Sequence, residues 1–367
     1  MHAGIVVILI VFIIGIIWLI PAYTKPFKDR HGKILKGSIA SLEKVKLGGK
    51  DQWILLRGVD VSKPVLLFLH GGPGTADMTF LRKPMQELEK HFVLVMWDQR
   101  GAGKSYAAID PESSMTISQI LSDANELTRL LCKRFHQEKI FLVGHSWGSV
   151  LGVLSVRNYP GLYYAYVGIG QISNMRENER LSYEWTLEEA HKANDRQAVK
   201  KLIQMGKPPY RGDWQKKFMD QRRLLGKYRG EFYGSSMGAF PVVVGGLIRA
   251  TEYSWTDKVN FFRGILRSVR LIWPELMTID LMEMAPRLKV PVYFALGKHD
   301  HEAPFTLAKQ YFKMLEAPHK ELIWFENSAH MPQLEENEKF TDLLINHVLP
   351  AFNTHDQILF NQPIGLN

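Results

Sequence analysis

Gly144-His145-Ser146-Trp147-Gly148 follows the apolar run "KIFLVGHS" (139–146) and leads into a helical pattern. A serine between two glycines at a sharp strand-to-helix turn projects its hydroxyl from the sheet. The glycines are needed because side chains there would clash across the turn. A serine hydroxyl is a weak nucleophile and requires a base, which a carboxylate must in turn orient. For a nucleophile so placed, the expected chain order is serine, acid, histidine, each past the carboxyl end of a strand. Asp300 follows "VYFALGKH" and His330 follows "LIWFENSA", so both stand where that order demands. Ser146, Asp300 and His330 are therefore the candidate nucleophile, acid and base, and their chemistry would be acyl transfer through an acyl-serine. His301 is a weaker base because it precedes the last strand, and Asp257 and Asp280 lack a strand before them.

Such a reaction also needs N–H donors aimed at the developing oxyanion. The Trp147 N–H, directly after the serine, is one candidate. "HGGPG" (70–74) supplies the other, the N–H of Gly72, and His70 reads as a structural histidine satisfied by backbone. "DQRGAGKS" (98–105) ends like a nucleotide-binding loop, but such a loop needs glycine where this chain has Asp98. A carboxylate there repels phosphate, so no nucleotide partner is expected. Gly101 and Gly103 would shape a turn, with Asp98 and Arg100 bracing the adjoining loops by charged hydrogen bonds.

The elements that position these residues alternate. "QWILLRGV" (52–59), "PVLLFLHGG" (64–72), "FVLVMWDQRG" (92–101), "KIFLVGHS" and "YYAYVGIG" (163–170) read as strands. Helical stretches fall at about 78–90 and 117–136, the second capped by Thr116. Strands separated by helices imply a mostly parallel sheet covered on both faces. From Gln171 to about Met284 the chain is helix-like, basic and aromatic. Strand-helix order resumes with "VPVYFALGKHD" (290–300), a helix near 304–316, "ELIWFENSAH" (321–330) and a helix near 335–348. The organisation expected is a first core segment 36–170, a helical cap 171–285 and a second core segment 286–355. The cap would sit over the carboxyl ends of the strands, where open α/β sheets bind ligands.

Before the core, residues 4–20 form an unbroken apolar run of seventeen, followed by Pro21 and Tyr23. Its length is near the lower limit for a membrane-spanning helix, with Trp18 and Tyr23 as interfacial anchors. The start "MHAG" lacks the charge of a secretory signal, and "PAYTK" is a poor cleavage site. Residues 1–24 are therefore expected to be a retained transmembrane anchor. Lys25, Lys28, Arg30, Lys33 and Lys36 place the catalytic domain on the cytoplasmic side of the cell membrane. The net charge of +9 is concentrated there and in Arg196–Arg229. No nucleic-acid-binding signature accompanies either cluster, so no nucleic acid is expected. The single cysteine, Cys132, excludes an intramolecular disulfide.

"HGGPG", "DQRGAGKS" and "GHSWGS", in this order and spacing, resemble the α/β-hydrolase family of prolyl iminopeptidases and their relatives. "ALGKHD" and "NSAHMPQLEE" are similar to that family's acid and histidine segments. The resemblance implies an α/β-hydrolase core with a helical cap and no metal or other cofactor. It also implies cleavage of an N-terminal residue, often proline, from short peptides. Mapped onto this chain it gives Ser146, Asp300 and His330 as the triad, with Gly72 and Trp147 as oxyanion donors. The family's cap glutamates bind the substrate's free amino group, and Glu252 in "LIRATEYSW" is the possible equivalent, followed by Glu231 and Glu184. The chain departs from the family at His145, where a second glycine is usual, and in the cap. A second function stays open, an esterase or lipase-like acyl hydrolase acting on small or amphiphilic esters. A cap carboxylate facing Ser146 would favour the peptidase, and an all-apolar pocket the esterase. A third, a non-catalytic binding protein on the same scaffold, sits poorly with a complete set of Ser, Asp and His.

Overall fold

The structure is a computed structural model that describes residues 20–352. The expected anchor helix lies almost wholly outside the described residues. Its last part, Ile20–Thr24, is not helical, and Tyr23 and Thr24 bond the domain. Among the described residues, no helix is long and apolar enough to cross a membrane.

Eight strands form one sheet: β1 (Ile39–Leu47), β2 (Lys50–Gly58), β3 (Val65–Leu69), β4 (Val93–Asp98), β5 (Ile140–His145), β6 (Tyr163–Ile169), β7 (Val292–Gly297) and β8 (Lys320–Phe325). Their order is β1-β2-β4-β3-β5-β6-β7-β8. β1, β2 and β4 pair antiparallel, and every neighbour pair from β4 to β8 is parallel. Every residue of β3, β4, β5, β6 and β7 is buried. That is why these strands read as continuous apolar runs rather than alternating ones. Alternation still sorts their side chains. Leu67, Leu69 and Leu142 enter the core on one face, and Leu66, Phe68 and Phe141 enter the core on the other.

Two helices join the first core segment, α1 (Ile117–Phe135) and α2 (Trp147–Asn158). Thr116 caps α1 as expected, its side chain accepting the Gln119 N–H at 3.1 Å. Between β6 and β7 lies the helical insertion: α3 (Met175–Lys192), α4 (Arg196–Met205), α5 (Trp214–Lys227), α6 (Phe240–Arg249) and α7 (Trp255–Leu276). Its outer part has a small core of its own, built on Tyr183, Leu202 and Leu224. α8 (Phe305–Met314) follows β7. The helix expected over 78–90 is instead a short turn, Met78–Leu81, and a 3-10 turn beginning at Pro84, a residue that has no N–H to continue an α-helix. The last helix resolves into Asn337–Asp342 and a π-helical turn, Leu343–Val348.

Candidate active site

The turn at Ser146 is as tight as its glycines imply. Ser146 has φ 53° and ψ −119°, between the last residue of β5 and the first of α2. Positive φ is unfavourable for a residue with a Cβ and persists only where the surroundings impose it. Here the Ser146 N–H donates to Ile169 O (2.9 Å) and its carbonyl accepts from the Ser149 N–H (2.8 Å). A Cβ on Gly144 would meet the Gly148 carbonyl oxygen at 2.4 Å, and one on Gly148 would meet the Leu69 carbonyl oxygen at 2.1 Å. Both glycines are therefore sterically required.

Asp300 and His330, thirty residues apart in sequence, are hydrogen-bonded and buried. His330 Nδ1 lies 2.9 Å from Asp300 Oδ2. The other carboxylate oxygen, Oδ1, accepts the N–H groups of Glu302 (3.0 Å) and Ala303 (2.9 Å). Nε2 of His330 is buried with no hydrogen-bond partner among the described residues. Burial opposes charge on this ring, but the carboxylates of Asp300, Glu302 and Glu231 outweigh it and raise its pKa to about 9. Gly170, just after β6, makes room for the ring: a Cβ there would meet His330 Cε1 and Nδ1 at 2.7 Å. The end of β6 thus touches the Ser146 backbone through Ile169 and the histidine through Gly170. The His145 ring lies 4.9 Å from the His330 ring, and its Nε2 is 3.0 Å from His330 O.

Gly72 is exposed, with φ 115°, and its N–H meets no acceptor among the described residues. Trp147 opens α2, where a backbone N–H has no intrahelical acceptor. The two donors proposed for an oxyanion are thus both unspent. His70 is a structural histidine: Nε2 accepts the Gln99 N–H (3.1 Å), and Nδ1 lies 2.8 Å from Gly71 O. Gln99 is the residue sequence reasoning passed over. Its side chain donates to His70 O (3.1 Å) and accepts from Trp147 Nε1 (2.8 Å), tying the glycine loop to the start of α2. β4 does not neighbour β5, since β3 lies between them, so Gln99 bridges the width of a strand.

The bracing expected of Asp98 and Arg100 is present, with different partners for each. Asp98 Oδ2 accepts from the Lys104 N–H (2.8 Å) and from Tyr253 Oη, and burial pushes its carboxyl up to about 7. Arg100 makes a bidentate pair with Asp123 (2.8 and 3.1 Å), while a further N–H donates to Ala108 O (3.2 Å). Lys104 Nζ is held by Asp257 (2.7 Å) and lies 4.4 Å over the Trp53 ring.

Segment 230–234 of the cap bonds the loops that carry Asp300 and His330. His330 N–H donates to Glu231 O (3.0 Å), and His301 N–H donates to Gly230 O (2.9 Å). Glu335 accepts the N–H groups of Tyr233 (2.6 Å) and Ala329 (2.8 Å). His301 is stacked on Trp185 at 3.9 Å, and burial pushes its pKa down to about 4. The Glu231 carboxyl is pushed up to about 8, by burial and then by the neighbouring charge of Glu302. Glu302 in turn lies 3.4 Å from Arg222, which also pairs with Glu179.

Glu252, the first choice for amine recognition, is spent elsewhere. It is buried against Arg82 (3.3 Å) and Thr24 (3.1 Å), and nothing brings its carboxylate to Ser146 or His330. Glu184 is a surface residue paired with Arg180 and Lys207. Of the three cap carboxylates considered, Glu231 alone is found beside the histidine. Asp280 caps a short helical turn and bonds Asn174.

Residues 64–337 match the family described as alpha/beta hydrolase fold. A probable aminopeptidase, YbaC, of Bacillus subtilis is 36% identical over 314 residues, covering 85% of this chain and 97% of that protein. A proline iminopeptidase of Saccharolobus solfataricus is 26% identical over 289 residues, covering 76% of this chain and 83% of that one. Among solved structures, the proline iminopeptidase of Mycobacterium smegmatis aligns with a TM-score of 0.60 at 16% identity, covering 86% of this chain and 100% of that one. An esterase of Exiguobacterium antarcticum aligns with a TM-score of 0.54 at 19% identity, covering 84% and 99%. Likeness at such low identity speaks for the fold, while the sequence matches go further: the chain belongs to the α/β-hydrolase family and is a hydrolase related to aminopeptidases of the proline iminopeptidase kind.

Proposed function

We propose that this chain is a serine aminopeptidase of prolyl iminopeptidase type, releasing an N-terminal residue from short peptides through an acyl-Ser146 intermediate. The observation that carries the proposal is the strained Ser146 turn beside a buried Asp300–His330 pair. Nε2 of His330 takes the hydroxyl proton as Oγ attacks the carbonyl carbon, and Asp300 holds Nδ1 and stabilises the imidazolium. The N–H groups of Gly72 and Trp147 receive the oxyanion. His330 then returns the proton to the departing amine, and water releases the acyl group by the same steps.

Glu231 beside His330 favours a substrate with a free ammonium over a simple ester, because an ammonium at close range would draw its carboxyl, raised to about 8 in the free protein, into the charged form. Turnover of proline p-nitroanilide and p-nitrophenyl acetate tests both parts. Ser146→Ala should abolish both activities in a protein with an unchanged circular dichroism spectrum. Glu231→Gln should raise KM for the anilide at least about tenfold, the equivalent of roughly 1.4 kcal/mol, and leave KM for the acetate unchanged. Equal losses on both substrates would contradict amine recognition by Glu231. We further propose that residues 4–20 anchor the protein in the cell membrane with the catalytic domain cytoplasmic, supported by the apolar run and the five cations from Lys25 to Lys36.

A further inference from the structure

The first described residues are fastened between two cap helices. Tyr23 N–H donates to Thr251 O (2.9 Å), and Thr24 Oγ1 donates to Glu252 Oε1 (3.1 Å). Both acceptors lie in the turn from α6 to α7, so the chain that follows the apolar run is fastened to the folded domain there.

From that turn α7 presents Trp255, Val259, Phe262 and Leu266 outward. Their spacings of four, three and four residues put them in one stripe of the helix. They are 37%, 45%, 44% and 55% exposed. Ile248 of α6, 58% exposed, joins the near end: Lys258 Nζ donates to Ile248 O (2.9 Å) and lies 4.7 Å over the Trp255 ring. The opposite side of α7 is buried through Phe261, Gly264, Ser268 and Ile272. A helix covering a solvated domain keeps one polar face; α7 is apolar on its covered side and along its outer stripe. Lys258 and Arg263 flank the stripe on α7, and they and Arg249, next to Ile248, have no carboxylate partner among the described residues, whereas Arg267 and Arg270, further along, pair with Asp110 and Glu112.

We propose that the α7 stripe, with Ile248, rests in the headgroup layer of the anionic membrane that residues 4–20 are anchored in. The proposal builds on the anchor reading above. Apolar side chains bordered by unpaired cations suit an anionic lipid surface. They suit a second copy poorly, since a two-fold contact would set the same cations against one another. The anchor's entry point fixes which face of the domain is held against the bilayer. The inner side of α7 lies on the site loops: a Cβ on Gly74 would meet Gly264 O at 2.7 Å, and one on Gly264 would meet Gly101 O at 2.6 Å. The membrane contact and the cover of the candidate active site are therefore two sides of one helix.

The test uses the full chain, with Cys132→Ala, in phosphatidylcholine vesicles containing about a quarter phosphatidylglycerol. Single nitroxide labels go on Phe262→Cys, Leu266→Cys, Phe12→Cys as the anchor reporter, and Met314→Cys as an exposed apolar control on α8. Collisions with oxygen and with a water-soluble nickel complex read the depth of each. Labels at 262 and 266 should favour oxygen over nickel several-fold more than the label at 314. Equal nickel access at 262, 266 and 314, with label 12 in lipid, overturns the docking and spares the anchor. Label 12 in water refutes the anchor, and docking then survives only if 262 and 266 still report lipid. Shielding of 262 and 266 from both reagents means a protein partner, such as a second copy, and also overturns the proposal.

Discussion

At the scale of single residues, the site is a set of backbone and titration costs that neighbours hold in place. Ser146 is kept at φ 53° by Gly144, Gly148 and the Ile169 carbonyl. Strain at such a position is worth about 1–3 kcal/mol, so Ser146→Gly should raise stability by that order while abolishing activity. Urea unfolding measures it, and an unchanged or lower stability would mean the turn is not strained. His330 titrates near 9, against an ordinary value of 6.5, because its carboxylate neighbours outweigh burial. Only the neutral ring can accept the serine proton, and the neutral form appears as pH rises through that pKa. The acid limb of kcat/KM should therefore lie well above 7, a limb at or below 6.5 being the contrary result. The sign for stability is opposite. This group's contribution is complete below 6.5 and is lost as pH rises through about 9.

At the scale of elements, the three glycine-bearing motifs are loops at the carboxyl ends of β3, β4 and β5, braced by buried polar residues. Arg100 and Asp123 are the strongest such brace, both almost fully buried. Arg100→Ala leaves the buried Asp123 without its counter-charge, held only by the amides of Gln52 and Gln119, and should cost about 3–5 kcal/mol. A loss on the order of a surface pair, below about 1 kcal/mol, would show that the brace is not needed. The buried strands were legible because each is a continuous apolar run ending in glycine or a polar loop. β1 was not, because an edge strand carrying Glu43, Lys44 and Lys46 has no such run. Ser146, Asp300 and His330 were legible from order and spacing. Gln99 and Gly170 were not: a side chain that spans a strand, and a glycine that makes room for a residue far along the chain, leave no local pattern. Glu252 was misplaced for the same reason, since a cap carboxylate's partner is set by helix packing and not by its neighbours in sequence.

At the scale of the whole molecule, the cap is part of the site. Segment 230–234 bonds the backbones of both the Asp300 and His330 loops, and α7 lies on the loops that carry Gly74 and Gly101. The basic, aromatic character of 171–285 pointed to an insertion over the strand ends, and the helices are found between β6 and β7. How the insertion meets the loops could not be read from composition. All of this converges on one serine, and the most direct measurement is reaction of the full-length protein with a fluorophosphonate, followed by peptide mass spectrometry. One equivalent of label should appear on Ser146, hydrolysis of proline p-nitroanilide should fall in step with labelling, and Ser146→Ala should take up no label. A fully active protein with Ser146 unlabelled, or label carried by another residue in step with lost activity, would contradict the account.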